Sequence, residues 1–160
     1  MKIGLYPGSF DPISMGHLDI IERASTLFDV VHVAVLKNIS KQGFFSVEDR
    51  IRFIEQSTKH LKNVEVSSFD GLTVKYAHKL KANAVIRGLR AVSDFEYEFQ
   101  MAAMNNKLSK DAETVFFMTS TQYSFLSSSI IKEVGKLGGC IEGLVPDCIF
   151  EEVRDRLLQK

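Results

Sequence analysis

The sequence predicts an α/β fold: a single doubly wound, Rossmann-like domain with a five-stranded parallel sheet and C-terminal helices. Short apolar runs alternate along the chain with longer amphipathic stretches, the order expected when helical crossovers join parallel strands. The apolar runs are rich in β-branched residues and continuous rather than alternating, which is typical of strands covered on both faces. A chain of 160 residues suits one domain, residues 1–160, and is long enough to bury a full core.

The predicted strands are the short apolar runs Ile3–Tyr6, Val30–Leu36, Val64–Phe69, Ala84–Ile86 and Thr114–Met118. The predicted helices are the amphipathic stretches between and after them, His17–Leu27, Val47–Thr58, Leu72–Lys81, Asp94–Asn105, a segment from Ser128 through Val134, and Asp147–Leu158. Ser46 with Asp49 resembles a capping box before the second helix, and Pro146 suits the start of the last one. Gly138 and Gly139 predict the end of the fifth helix.

Composition and charge disfavour several classes of protein. The chain has 20 basic and 20 acidic residues and a formal net charge of zero, whereas a general nucleic-acid or membrane-surface binder is normally basic. The N-terminus lacks a signal-peptide pattern, and no apolar run reaches the roughly 18 residues of a transmembrane helix. Cys140 and Cys148 fit no zinc pattern and are interpreted as packing residues. We expect a cytoplasmic protein without a metal site, a nucleic-acid partner or a membrane partner.

The segment Gly8–His17 lies between the first predicted strand and the first predicted helix. A helix start presents unpaired backbone N–H groups and a partial positive charge, so it binds phosphate readily. Gly8 and Gly16 let the backbone approach a ligand closely, and His17 in the first turn can donate a hydrogen bond to a phosphate oxygen. The segment therefore predicts a nucleotide-phosphate site on which a histidine acts.

Polar residues follow every predicted strand, and the C-terminal ends of parallel strands meet at one edge of the sheet, where ligands of such folds bind. The residues that follow the strands are, in strand order, Ser9 and His17, then Lys41, then Gly71, Leu72 and Thr73, then Arg87, Gly88 and Arg90, then Tyr123 to Ser129. This edge combines cations, a histidine, hydroxyls and helix starts. It suits two phosphorylated ligands, one of them a triphosphate.

Three stretches together resemble the bacterial phosphopantetheine adenylyltransferases of the nucleotidylyltransferase superfamily: Gly8–His17, Ile86–Glu98 and Tyr123–Ser129. The resemblance runs from about Ile3 to about Pro146. Ser14 stands where the family usually has His or Thr, a mild departure because the hydroxyl remains. Lys41-Gln42-Gly43 departs from the two adjacent lysines and proline common in the family, so only Lys41 can serve there.

The resemblance implies transfer of AMP from ATP to 4′-phosphopantetheine, giving dephospho-coenzyme A and pyrophosphate. A phosphate monoester is already an anionic nucleophile, so direct in-line attack needs no general base and no covalent intermediate. Positioning and charge stabilisation then carry the catalysis. Mg²⁺ is implied because ATP carries it and phosphates supply most of its ligands. The resemblance also implies a homohexamer.

The resemblance also assigns roles to individual residues. The implied catalytic residues are His17, Lys41, Ser9 and Arg90, and the implied substrate-binding residues are Ser9, Lys41, Leu72, Thr73 and Arg87. The implied ATP-binding residues are Ser9, Phe10, His17, Gly88, Leu89, Arg90, Glu98, Tyr123, Ser124, Phe125, Leu126, Ser127, Ser128 and Ser129. His17 is expected at the α-phosphate, Lys41 between the reacting phosphates, and Glu98 at the adenosine end. Thr73 replaces the aliphatic residue or methionine usual in the family.

Two alternatives remain open: another nucleotidylyltransferase, forming NAD or a CDP-alcohol, and a non-catalytic nucleotide-binding sensor module. A dehydrogenase is disfavoured because no Gly-x-Gly-x-x-Gly follows the first strand, and a P-loop ATPase because its motif does not occur.

The helix beginning near Asp94 carries two apolar stripes. We expect the stripe Phe95, Phe99 and Ala102 to face the sheet of its own subunit. We expect the stripe Tyr97, Met101, Met104 and Leu108 to face outward or toward a neighbouring subunit, because an exposed stripe of that length is a liability on a monomer. An ordinary core helix is the alternative.

Overall fold

A computed structural model describes residues 1–37, 40 and 42–159. Lys41, predicted to be catalytic and substrate-binding, lies outside the described residues. The strands are β1 Ile3–Gly8, β2 Val30–Leu36, β3 Val64–Phe69, β4 Ala84–Leu89 and β5 Glu113–Met118. The helices are α1 Met15–Ser25, α2 Val47–Ser57, α3 Thr73–Leu80, α4 Val92–Leu108, α5 Ser128–Lys136 and α6 Asp147–Leu158, with a 3₁₀ turn at Thr121–Tyr123.

The five strands form one sheet in the order β3-β2-β1-β4-β5, and every neighbouring pair is parallel. The prediction of a doubly wound α/β fold is therefore confirmed. The strand order reverses between β1 and β4, which makes their C-terminal ends the expected ligand position.

Strand β4 is longer than predicted and includes Arg87, Gly88 and Leu89. These residues pair with Phe116, Phe117 and Met118 of β5, so the backbone ladder continues through the polar segment. A pattern of apolar residues cannot show this, because main-chain pairing does not depend on an apolar side chain.

Strands β1 and β4 separate toward their C-terminal ends. Their pairing covers Gly4 with Ala84 and Leu5 with Val85, whereas β1 stays paired with β2 through Gly8. Pro7, which has no N–H to donate, lies in the part of β1 that is not paired with β4. The Arg87 side chain reaches across the opening and donates to the Pro7 carbonyl oxygen at 3.2 Å. A cavity opens where the two strands diverge.

Apolar side chains cover both faces of the sheet. The larger cluster joins the sheet to α1, α2, α5 and α6, and a smaller one lies on the face covered by α3. Gly88 lets α1 approach β4 closely, because a Cβ there would lie 2.5 Å from Ile20 Cδ1. The predicted caps are also present: Ser46 Oγ accepts from the Asp49 N–H at 3.1 Å, and Pro146 precedes α6. Cys140 and Cys148 are exposed free thiols, so their interpretation as packing residues was wrong.

Helix α4 differs from the expectation for its first stripe. Phe95 and Phe99 were expected to pack on the sheet, but they are 49% and 59% exposed. Within α4, all of which the structure describes, Glu98 is the one buried residue. Glu98 pairs with Arg87 of β4, whose side chain is 33% exposed, so a partly buried ion pair, and not an apolar contact, orients this helix. The second stripe is exposed as expected, with Met101, Met104 and Leu108 at 41–55%.

No helix among the described residues is long and apolar enough to cross a membrane.

Candidate active site

A cavity of about 300 Å³ lies at the diverging ends of β1 and β4, beside the first turns of α1 and α5. Its lining comes from the first motif, from β4 and the start of α4, and from the segment that follows β5. The lining residues are Tyr6, Pro7, Gly8, Ser9, Phe10, Ser14, Gly16, His17, Ile20, Arg87, Gly88, Arg90, Asp94, Glu98, Thr119, Tyr123, Leu126, Ser127 and Ser128. The three sequence motifs thus meet around one space.

His17 is held by the N-terminal cap of α1. Ser14 is the N-cap, and its Oγ accepts from the His17 backbone N–H at 3.2 Å. The His17 Nδ1 in turn accepts from the Ser14 backbone N–H at 3.0 Å, which completes a capping box with histidine in the place usual for Glu or Gln. A backbone amide can only donate, so Nδ1 is the unprotonated nitrogen and Nε2 carries the ring proton.

The charge state of His17 follows from its surroundings. Burial, together with the nearby Arg90 and Arg87, lowers its pKa from 6.5 to about 4. The ring is therefore neutral at physiological pH and offers one N–H donor. Phe10 packs edge-on against it with ring centroids 5.0 Å apart and fixes the ring plane. Such a group can stabilise negative charge on a phosphoryl oxygen without exchanging a proton.

Phe10 adopts a left-handed backbone with φ of 47°, which is unfavourable for a bulky residue and is found mainly where the surroundings enforce it. Its side chain is buried at 2% exposure, and Tyr6 packs against it at 5.3 Å. The chain turns here directly after β1, and Ser9 and Phe10 both line the cavity.

Arg87 and Glu98 form a bidentate ion pair inside the cavity. Arg87 Nη2 donates to Glu98 Oε1 at 2.6 Å and Nε donates to Oε2 at 2.8 Å. Burial alone would lower the pKa of Arg87, but the Glu98 carboxylate raises it overall, so the guanidinium stays charged. Together with the bond to the Pro7 carbonyl, this pair fixes the plane of the guanidinium.

Arg90 is held in a comparable way. Its Nε and Nη2 donate to the Asp94 carboxylate at 3.0 and 3.2 Å, and its Nη1 donates to the Leu126 carbonyl oxygen at 2.9 Å. The hydrogen bond from Arg90 lowers the pKa of Asp94. Arg90 therefore joins the start of α4 to the segment before α5, and it brings the second and third motifs to the same wall.

The start of α5 supplies hydroxyls and backbone N–H groups. Ser127 is the N-cap and accepts from the Ile130 N–H at 3.1 Å. Ser128 Oγ donates to the Pro12 carbonyl oxygen at 2.7 Å, which ties this helix start to the first motif. A helix start of this kind is a ready position for phosphate oxygens.

The described lining side chains carry no net formal charge. Arg87 is balanced by Glu98, Arg90 by Asp94, and His17 is neutral. Attraction for an anion at this wall must therefore come from directed N–H donors and from the positive ends of α1 and α5. No group of three or more His, Cys, Asp or Glu residues in the described part of the chain could hold a metal ion.

The structure brings most predicted site residues together, but not all of them. Ser9, Phe10, His17, Arg87, Gly88, Arg90, Glu98, Tyr123, Leu126, Ser127 and Ser128 line the cavity; Leu89, Ser124, Phe125 and Ser129 do not. Leu72 instead borders a separate cavity of about 260 Å³ between α3 and the end of α4, and Thr73 begins α3 without lining either cavity.

Sequence reasoning did not assign several residues that line the cavity. Tyr6, Pro7, Ile20, Asp94 and Thr119 were not singled out as site residues, and Gly8, Ser14 and Gly16 were read only as parts of the first motif. Asp94 could have been found from its spacing, because it is four residues after Arg90 and opposite charges at that spacing often pair. Tyr6 and Ile20 resemble ordinary core residues and gave no such signal.

Comparison with known proteins agrees with this geometry. The family model described as cytidylyltransferase-like matches residues 5–134, so the chain is a cytidylyltransferase-like protein. A solved structure from Vibrio parahaemolyticus, described as a nicotinate-nucleotide adenylyltransferase, is similar with a TM-score of 0.74 over 100% of this chain and 97% of its own. Its sequence identity is 19%, and the likeness shows the fold alone.

Curated relatives with high sequence identity identify the family within this broader class of proteins. A phosphopantetheine adenylyltransferase of Clostridium botulinum strain Eklund 17B is 60% identical over 96% of each chain. Proteins of the same name from Clostridium tetani and Caldanaerobacter subterraneus are 58% and 52% identical, over 96% and 98% of each chain. The chain belongs to the phosphopantetheine adenylyltransferase family.

Proposed function

We propose that this protein transfers AMP from ATP to the phosphate of 4′-phosphopantetheine, giving dephospho-coenzyme A and pyrophosphate. The observation that carries the proposal is the convergence of His17, Arg87, Arg90 and the start of α5 on one cavity. The names of relatives up to 60% identical support the choice of substrate. We further propose that residues 1–160 act as a single catalytic domain. A step that consumes ATP for cofactor synthesis belongs in the cytoplasm, which is the location we propose.

The proposed reaction is one in-line displacement at the α-phosphorus of ATP. An oxygen of the phosphopantetheine phosphate forms the new P–O bond, and the bond to the bridging oxygen of pyrophosphate breaks. The nucleophile is already an anion, so the protein need not remove a proton. Its tasks are to hold two anions in line and to stabilise the charge that develops between them.

Different residues of the cavity hold the two anions and stabilise the developing charge. The neutral His17 Nε2–H donates to an α-phosphate oxygen, where charge accumulates in the transition state. The Arg87 guanidinium receives the substrate phosphate, while Arg90 and the start of α5 receive the β- and γ-phosphates. Lys41 is the proposed cation between the two reacting groups. Ser9 and the backbone of Phe10 bridge the substrate and ATP, since both residues line the cavity.

Mg²⁺ enters this proposal as the ion that ATP brings. The described lining residues carry no net charge, so a triphosphate without a counterion would meet little compensation there. Phosphate oxygens supply most ligands of Mg²⁺ in such sites, with few from the protein. Bound in this way, the ion would offset charge on the departing pyrophosphate.

We propose that the active form is a homohexamer. The exposed apolar residues of α4 support this assembly, because closed symmetry would bury the same stripe in every copy. Helix α4 also carries Glu98 and begins two residues after Arg90. Assembly should therefore influence the cavity.

The experiment that tests the function measures pyrophosphate release from ATP with three acceptors in parallel. These are 4′-phosphopantetheine, nicotinamide mononucleotide and phosphocholine, the last assayed with CTP as well. Release with phosphopantetheine alone supports the proposal. Release with another acceptor supports a different nucleotidylyltransferase, and nucleotide binding without release from any acceptor supports a sensor module.

A further inference from the structure

The phenol of Tyr6 faces the active-site cavity without a hydrogen-bond partner in the protein. Tyr6 lies in β1, is 5% exposed and lines the cavity. Its hydroxyl makes no hydrogen bond with any residue that the structure describes. Among those residues, His32 Nδ1 is the one fully enclosed side-chain polar atom that lacks a partner. The Tyr6 hydroxyl is therefore not fully enclosed, and the space that it borders is the cavity.

The cavity wall beside this hydroxyl is open because Gly88 has no side chain. A Cβ built on Gly88 would lie 3.8 Å from the Tyr6 hydroxyl oxygen and 3.9 Å from Thr119 Oγ1. The hydroxyl thus lies next to bare backbone of β4, where a bound molecule can approach closely. A buried tyrosine hydroxyl normally has a hydrogen-bond partner. A hydroxyl that the protein leaves unpaired in a cavity indicates that a ligand supplies the partner.

Tyr6 lies on the face of the sheet that α1 and α5 cover. Its side chain belongs to the larger apolar cluster, as does Ile86 of β4. Successive side chains of a strand point to opposite faces, so Arg87 points to the other face, where it pairs with Glu98 of α4. Tyr6 is therefore on the side of His17, proposed for ATP, and not on the side of Arg87, proposed for the phosphopantetheine phosphate.

Packing of the Tyr6 ring fixes the position of its hydroxyl. The ring packs edge-on against Phe10 with centroids 5.3 Å apart, and the His17 ring lies 6.4 Å away. Burial raises the pKa of the Tyr6 phenol above its ordinary value, and the opposing effect of Arg87 does not reverse this. The hydroxyl therefore keeps its proton at physiological pH and can donate to a ligand oxygen. Because the ring is already held in place, little freedom is lost on binding.

We propose that Tyr6 is a further ATP-binding residue, whose hydroxyl donates a hydrogen bond to an oxygen in the AMP part of bound ATP. The identity of the nucleotide rests on the proposed function. The AMP part follows from the neighbouring groups, because His17 is the proposed donor to the α-phosphate, whereas the start of α5 is proposed for the β- and γ-phosphates. The acceptor is therefore a ribose oxygen or an α-phosphate oxygen.

The test is Tyr6→Phe, which removes one oxygen atom and keeps the ring. The affinity for ATP is measured by titration calorimetry without an acceptor, so that no turnover occurs, and AMP is measured as a competitor of ATP. We expect the Kd of ATP and the inhibition constant of AMP to rise by the same factor, about five- to twentyfold. The KM for phosphopantetheine should stay within about twofold of the wild-type value.

Tyr76→Phe is the matched control. Tyr76 is also a partly buried phenol, but its hydroxyl shares a hydrogen bond with Ser67 Oγ at 2.8 Å, and it lines neither cavity. We expect Tyr76→Phe to lower the unfolding temperature and to leave the Kd of ATP unchanged. Tyr6→Phe should do the reverse, because its hydroxyl has no bond within the protein to lose.

The outcomes separate the role of Tyr6 from the proposed function. Weaker binding of both ATP and AMP at an unchanged unfolding temperature supports the role of Tyr6. An unchanged Kd of ATP, an unchanged inhibition constant of AMP, or a loss confined to the KM for phosphopantetheine overturns it. A Tyr6→Phe variant that fails to fold, or unfolds at a clearly lower temperature, also overturns it, because the hydroxyl would then have a structural role. Wild-type protein that binds ATP but releases no pyrophosphate with phosphopantetheine overturns the proposed function alone.

Discussion

The His17 Nδ1 accepts a hydrogen bond from the Ser14 backbone N–H at 3.0 Å, and this bond decides which proton the ring can offer. The same contact caps α1, so the residue that begins the helix also orients the proposed catalytic donor. The cap orients the ring, and burial together with the nearby Arg90 and Arg87 keeps it neutral.

Replacing His17 with alanine should leave the fold intact and lower kcat by about 10²–10³, the loss typical of one preorganised donor to developing charge. The affinity for ATP should fall less than kcat, because the donor acts mainly in the transition state. Steady-state kinetics and ATP titration check this. His60→Ala is the control, since His60 pairs with Glu22 on the surface and should keep wild-type kinetics. A His17→Ala variant with near wild-type kcat would contradict the role.

The lowered pKa of His17 predicts a pH dependence of stability. The unfolded chain binds a proton at His17 below about 6.5, whereas the folded chain binds it only near 4. Between these values the unfolded state holds more protons, so the free energy of unfolding falls as pH drops from 6.5 toward 4. Urea unfolding of wild type and His17→Asn across this range checks the sign. Equal pH slopes for the two proteins would show that His17 titrates normally.

Arg87→Ala and Arg90→Ala should separate by substrate. The first should mainly raise the KM for phosphopantetheine and the second the KM for ATP, because each guanidinium is fixed at a different place on the wall. Lysine should rescue neither fully, since both sites use the two-nitrogen edge of the guanidinium. Two variants that affect only ATP would contradict this division.

A substitution of Glu98 tests whether this residue acts on phosphopantetheine, through Arg87, or on ATP. The sequence resemblance implies a contact with adenosine, whereas the structure pairs its carboxylate with Arg87. We expect Glu98→Gln to raise the KM for phosphopantetheine through misplacement of Arg87. A rise confined to the KM for ATP would instead support the adenosine contact.

The fold was largely predictable because β-branched runs and helix caps are local signals. The five strands and six α-helices found in the described part of the chain were all anticipated, and the convergence of polar residues at one edge follows from parallel topology alone. The ion pairs Arg87–Glu98 and Arg90–Asp94 were not predicted, because a charged residue on a helix is usually solvated. The pairing of Arg87 with Glu98, eleven residues away, becomes visible only once α4 is placed.

The orientation of α4 could not be predicted from its two apolar stripes. Periodicity correctly indicated that this helix has more apolar surface than one face needs, but not which part faces inward. Glu98 is buried because Arg87 attracts it, and Phe95 and Phe99 are carried outward with the helix. An apolar pattern cannot anticipate an orientation set by an ion pair.

Met101→Asp should disrupt the proposed assembly. A charge on the exposed stripe of α4 would be buried without a partner in a closed oligomer, which is strongly unfavourable. Light scattering should show a mass near 108 kDa for the wild type, six times the 18.0 kDa chain, and a lower mass with reduced activity for the variant. Gln100→Asp, an exposed position on the same helix between the two stripes, is the control. A fully active wild-type monomer would contradict the hexamer.

The central claim is that the phosphate of phosphopantetheine attacks the α-phosphorus of ATP in this cavity. The most direct measurement follows two labelled forms of ATP, one labelled at the α-phosphorus and one at the γ-phosphorus, with phosphopantetheine as acceptor. We expect the α-label to appear in dephospho-coenzyme A and the γ-label in pyrophosphate, in equal amounts. Transfer of the γ-label to the acceptor, or α-label that stays in free AMP, would contradict the account.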